Sequence, residues 1–128
     1  MKFLLADDSK IIRSMVKTAL TGMGVTDISE ASDGNEALAA LAKERFDVMV
    51  LDIMMPGLTG LETLAKIRSG DGPNKGIHVF MVTGEAKREF IHQAVKLGAK
   101  GYIVKPFEID DLAKRIKDVL ERLYPAKP

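Results

Sequence analysis

Short, continuously apolar runs alternate with segments of helical period along the whole of this 128-residue chain, and that alternation restricts the fold more than any other feature. Strands are predicted at Lys2 to Asp7, Thr26 to Ala31, Asp47 to Asp52, Ile77 to Thr83 and Lys100 to Val104. Phe3-Leu4-Leu5, Val48-Met49-Val50-Leu51 and Val79-Phe80-Met81-Val82 are apolar at every position, as suits inner strands covered by helices on both faces. Thr26-Asp27-Ile28-Ser29-Glu30 alternates polar with apolar and is placed at a sheet edge. Between the strands, helices are predicted to begin near Ser9, Gly34, Gly60, Ala86 and Glu108. Ser9 and Asp33 are N-cap types, Gly24 and Gly98 are natural stops, and Asp110-Asp111 suit the positive end of the last helix. That helix carries Leu112, Ile116, Val119, Leu120 and Leu123 at helical spacing before Pro125. Ser69 to Gly76 reads as a loose loop.

Five strands each followed by a helix, with right-handed crossovers, make an α/β doubly wound five-stranded parallel sheet, a (βα)5 unit with strand order 2-1-3-4-5. Residues 1–124 are read as one domain and 125–128 as a short tail. A domain of this size buries roughly two-thirds of its unfolded surface, so a core forms without staples, and no room is left for an output domain. Composition narrows the chemistry. The chain has no Cys, which removes thiol catalysis and thiolate zinc sites, and a net charge of +1, which gives no general field for nucleic acid or an anionic membrane. Phe3-Leu4-Leu5-Ala6 is too short for the apolar region of a secretion signal, and no later run is long enough to span a bilayer, so a cytoplasmic protein is expected.

In such sheets ligands bind beyond the carboxyl ends of the strands, at the point where strand order reverses. Asp7-Asp8 stand at the end of the first strand, Asp52 at the third, Thr83 at the fourth and Lys105 at the fifth. Each alone has an ordinary explanation, as a helix-start acid, a loop cap, a strand residue or a surface lysine. Gathered at one edge they form a polar site. Three carboxylates together repel unless one is protonated or a cation lies among them, and oxygen donors without His or Cys suit Mg²⁺. Lys105 supplies a point charge for a phosphoryl oxygen and Thr83 a hydroxyl, so the set suits phosphoryl transfer onto a carboxylate. His78 and His92 are read as a strand residue and a solvated helix residue. The seven Met are read mostly as core packing.

Leu4-Leu5-Ala6-Asp7-Asp8-Ser9, then Val50-Leu51-Asp52-Ile53-Met54-Met55-Pro56-Gly57-Leu58-Thr59-Gly60, then Met81-Val82-Thr83, then Gly101-Tyr102-Ile103-Val104-Lys105-Pro106-Phe107 resemble, in that order, the receiver domain of two-component response regulators. Glu85 to Glu89 and Gly98 to Tyr102 resemble the stand-alone chemotaxis receivers of the CheY type. The resemblance implies the flavodoxin-like, CheY-like fold. It also implies Asp52 as phosphoacceptor, and Mg²⁺ held by Asp8, Asp7, Asp52 and the backbone carbonyl of Met54. Thr83 and Lys105 would then hold the phosphoryl oxygens, Tyr102 would be an aromatic switch behind Thr83, and the Lys105-Pro106 bond would be cis. The implied partners are a histidine kinase or phosphotransfer protein and a downstream target such as a flagellar motor switch, with no direct nucleic acid or membrane. The fourth helix, fifth strand and fifth helix would present the switching face.

Alternatives differ at named residues. A phosphorelay intermediate would share the site. A phosphatase of the haloacid dehalogenase type needs a second Asp two residues after its nucleophile, where this chain has Met54. A flavodoxin-like cofactor binder needs a phosphate loop where this chain has Asp7-Asp8-Ser9-Lys10, and a degenerate receiver would have lost Asp52 or Lys105. Thr59 departs from the family's usual Asp or Asn and bears on the loop. Gly84 replaces the commoner Ala. Met54 is expected to restrict the hydrolytic water, and Ile11 and Met15, on the flank of the first helix, to widen its buried stripe or to dock the phosphodonor.

Overall fold

The computed structural model describes residues 1–84 and 87–125. Its elements run β1 (Lys2–Ala6), α1 (Lys10–Gly22), β2 (Asp27–Ala31), α2 (Gly34–Lys43), β3 (Val48–Asp52), α3 (Gly60–Ser69), β4 (His78–Thr83), α4 (Arg88–Lys96), β5 (Gly101–Val104) and α5 (Ile109–Leu123). All strand pairs are parallel, as the alternation predicts, and the order is the expected β2-β1-β3-β4-β5. Glu85, the predicted helix start at Ala86 and residues 126–128 of the tail lie outside the described residues.

Because side chains alternate across a strand, the inner strands supply two cores. Leu4, Ala6, Met49, Leu51, Val79 and Met81 pack with α2, α3 and α4 on one face. Phe3, Leu5, Val48, Val50, Phe80 and Val82 pack with α1 and α5 on the other. This double coverage is why these strands are apolar throughout, whereas β2, at the edge, buries only Ala31.

Strand boundaries contract by one residue from the predicted spans where the chain turns. Asp47 and Lys100 lie outside the strands but still donate to Lys2 O and Val79 O, each at 2.8 Å, so the difference is one of end assignment. Ser9 and Asp33 cap their helices, accepting from Ile12 N at 3.2 Å and Glu36 N at 2.8 Å. Gly24 and Gly98, at φ of 89° and 85°, take the left-handed conformation that ends α1 and α4. The Ser69 to Gly76 segment is not loose. Asn74 is buried, accepts from Phe46 N at 2.9 Å, and donates to Leu41 O and Glu44 O at 2.6 and 2.8 Å. The loop is thereby tied to the end of α2 and the approach to β3, because a buried amide side chain satisfies main-chain groups that no ladder reaches.

Candidate functional site

Asp52 ends β3 with its side chain buried, only 2% of the residue being exposed. The strand end is fixed from behind by α3. Gly60, the first residue of that helix, donates its N–H to Ile53 O at 2.8 Å, and a Cβ there would collide with the carbonyl oxygen of Asp52. Thr59, which the sequence assigns only to the loop turn, is the N-cap of α3 in a reciprocal capping box with Glu62. The Thr-x-x-Glu spacing was the readable signal for it.

Asp7 follows the last residue of β1 and is buried, whereas Asp8 is exposed on the turn. Asp7 Oδ1 accepts from Ser9 N at 2.9 Å. Lys105 follows β5, is joined to Pro106 by a cis bond, and donates its backbone N–H to Thr83 O at 2.7 Å. Its ammonium lies 3.2 Å from Asp7 Oδ2 and 3.2 Å from Asp52 Oδ2. Only the Asp52 contact has hydrogen-bond geometry; buried Asp7 Oδ2 has no hydrogen-bond partner among the described residues, so its link to Lys105 is ionic and poorly directed. Asp52 Oδ1 accepts from Met54 N at 3.2 Å.

Burial pushes the Asp52 carboxyl up to about 6, with the neighbouring charge of Asp7 adding to the rise and Lys105 and the Met54 amide opposing it. For Lys105, burial works against the charged form, but the attraction of Asp52 and Asp7 outweighs it and the net direction is upward. One ammonium therefore faces more negative charge than it can balance. Single carboxylate oxygens of Asp7, Asp8 and Asp52 lie within 4.8 Å of one another, an all-oxygen set that fits a small hard dication such as Mg²⁺. The buried Asp7 Oδ2, ion-paired with Lys105 but without a hydrogen bond, is the oxygen that such an ion would satisfy.

The sheet thus brings Asp7, Asp8, Asp52 and Lys105 together, with Thr83 fully buried at the adjacent end of β4. Tyr102 does not join them. It is 40% exposed and stands at the rim of a cavity of about 170 Å³ between β5 and α4, lined by Met81, Ile91 and Ala94 among others. A surface concavity of about 620 Å³ between β5 and α5, beside Phe107 and Arg115, also lies away from the three aspartates. Neither concavity has Asp7, Asp8 or Asp52 in its lining. Met54, read in part with the core methionines, is 48% exposed at the mouth of the site, while Met49, Met55 and Met81 are buried. Ile11 is 75% exposed and Met15 half-buried on α1. Sequence reasoning missed Arg13, whose guanidinium donates to the main-chain oxygen of Asp7 at 2.6 Å.

Residues 3–117 match the family model of the response regulator receiver domain. Chemotaxis protein CheY of Pseudomonas aeruginosa is 42% identical over 123 residues, 96% of this chain and 98% of that protein. Chemotaxis protein CheY-3 of Vibrio cholerae is 43% identical over 123 residues, 96% of this chain and 94% of that protein. Among solved structures, the chemotaxis response regulator CheY4 of Vibrio cholerae superposes with a TM-score of 0.82 at 39% identity, covering 93% of this chain and 98% of that one. No helix among the described residues is long and apolar enough to cross a membrane.

Proposed function

Because this chain belongs to the response regulator receiver domain family, we propose that it carries a chemotaxis signal by accepting a phosphoryl group on Asp52 from a histidine kinase or phosphotransfer protein. It is a signalling protein and not an enzyme with turnover on a separate substrate; what it catalyses is its own phosphorylation and slow dephosphorylation. The observation that carries this reading is the Lys105 ammonium, 3.2 Å from both Asp7 and Asp52. It holds the acceptor carboxylate in place while leaving the third carboxylate, Asp8, exposed beside it.

An oxygen of ionised Asp52 attacks the phosphorus of a phosphohistidine; the P–O bond forms, the P–N bond breaks, and the imidazole leaves with its electron pair. Asp7, Asp8 and Asp52, with the backbone carbonyl of Met54, would hold Mg²⁺, which when bound supplies charge neutralisation to the phosphoryl oxygens. Lys105 exchanges its contact with Asp52 for one with a phosphoryl oxygen, and Thr83 donates to another. Exposed Met54 limits the approach of the hydrolytic water, and exposed Ile11 with half-buried Met15 offers the phosphodonor an apolar docking edge.

Phosphorylation adds roughly −1.5 to −2 charges and three acceptor oxygens at the end of β3. Movement of Thr83 toward them opens space for Tyr102 to turn inward from its exposed position. The α4, β5 and α5 face, including the groove beside Phe107 and Arg115, then changes shape for a target such as a flagellar motor switch. The size of this shift is set by how much better the active arrangement binds the phosphoryl group than the resting one.

Intact mass after incubation with acetyl phosphate and Mg²⁺ tests the reading. A gain of one phosphate in the wild type and none in Asp52→Asn is expected; steady release of phosphate from unrelated monoesters would favour the phosphatase, which the family match does not support. Capture of a motor-switch protein by the phosphorylated form separates a messenger from a relay intermediate, which would pass its phosphate to a histidine.

A further inference from the structure

Arg13 has no part in the chemistry above, yet its side chain is only 15% exposed and connects three elements behind the acidic turn. From α1, its Nη1 donates to the main-chain oxygen of Asp7 at the end of β1, at 2.6 Å, and its Nε donates to Glu30 Oε1 on β2, at 3.0 Å. Lys17, one helical turn further along α1, lies 3.7 Å from the other Glu30 oxygen. Glu30 is thus held from two sides and fixes the plane of the guanidinium. The carbonyl that Arg13 grips belongs to the peptide unit joining Asp7 to Asp8. Asp7 is further fixed through its carboxylate by Ser9 N, whereas Asp8 stands exposed on the far side of that unit.

We infer that Arg13, clamped by Glu30, is a positioning residue for the cation site: it sets the Asp7–Asp8 peptide unit and thereby aims both carboxylates at one divalent ion. This rests on the cation reading of the three aspartates. Charge and geometry make opposite demands here, which gives the inference a sign. As a nearby positive charge, Arg13 opposes a dication, so by electrostatics alone its removal tightens Mg²⁺ binding. As a positioning group, its removal frees the turn and weakens binding. Lysine keeps the charge but lacks the planar fork that reaches Asp7 O and Glu30 together.

The test is calorimetric titration of the full chain with MgCl₂, beside thermal unfolding and phosphorylation by acetyl phosphate. Arg13→Gln is expected to raise the Mg²⁺ Kd about tenfold, in the range found for outer partners of metal ligands. Its phosphorylation rate returns to that of the wild type at saturating Mg²⁺, a split that a general loss of structure does not produce. Arg13→Lys is expected to weaken binding in the same direction, and it decides the matter if Arg13→Gln fails to unfold cooperatively. An unchanged or lower Kd in Arg13→Gln, or full rescue by Lys, overturns the inference while leaving the site intact. A wild type that takes up no Mg²⁺ refutes the cation reading itself, and the inference with it.

Discussion

Replacing Asp52, the proposed phosphoacceptor, is expected to make the metal-free protein more stable. Asp52 is buried, and its carboxyl is raised from 3.8 to about 6, first by burial and then by Asp7. A carboxyl that holds its proton more tightly in the folded chain favours folding where it is protonated. That contribution is complete below about pH 3.8, is lost as pH rises through the interval to about 6, and is absent above it. At roughly 1.4 kcal/mol per pH unit the shift sets a ceiling of about 3 kcal/mol, and screening through the open mouth at Asp8 and Met54 reduces this to about 1–2 kcal/mol. Asp52→Asn removes the charge, keeps an acceptor for Met54 N–H, and leaves Lys105 its contact with Asp7. Urea unfolding followed by circular dichroism should show the variant more stable by about 1–2 kcal/mol at pH 8, corresponding to about 3–8 °C in Tm. The two proteins should converge at pH 4. Mg²⁺ should narrow the gap at pH 8 by stabilising the wild type more. A variant no more stable than the wild type at pH 8, or a gap independent of pH, would refute the claim that buried like charge strains this site.

Lys105→Met removes the ammonium that opposes the rise at Asp52, so a carboxyl-detected NMR titration should find Asp52 titrating at higher pH than in the wild type; an unchanged midpoint contradicts the ion pair. Gly60→Ala drives a methyl into the Asp52 carbonyl and should destabilise the fold by about 2 kcal/mol or more in urea, because the obstacle is backbone. Asn74→Ala leaves Phe46 N, Leu41 O and Glu44 O without their partner and should cost about 2–4 kcal/mol, with faster hydrogen exchange at the Phe46 amide. Met54→Asn should speed loss of phosphate from the labelled protein; an equal or slower rate removes the shielding role of that side chain.

The strands, and the gathering of Asp7, Asp8, Asp52 and Lys105 at one sheet edge, were legible because each strand has a local signature. Runs such as Val48-Met49-Val50-Leu51 admit one burial, double coverage by helices, and the polar residues that interrupt the pattern fall at strand ends. Caps were equally local, since Ser9 and Asp33 act on amides three residues away. The anchoring of the Ser69 to Gly76 loop was not legible. Asn74 meets Leu41 and Phe46 only after α2 and β3 have packed, and its composition is that of any turn.

The sequence by itself determined that Asp7, Asp8, Asp52, Thr83 and Lys105 would share one edge, because parallel strands joined by helices must present their carboxyl ends together. Tertiary structure alone decided how they stand. It placed Lys105 midway between Asp7 and Asp52, kept Tyr102 exposed, buried one oxygen of Asp7 without a hydrogen bond, and brought Arg13 and Glu30 behind the turn. These are distances between side chains far apart in the sequence. Periodicity and capping fix the elements and their order, while such distances are set by how closely helices and strands pack, down to a single missing Cβ at Gly60.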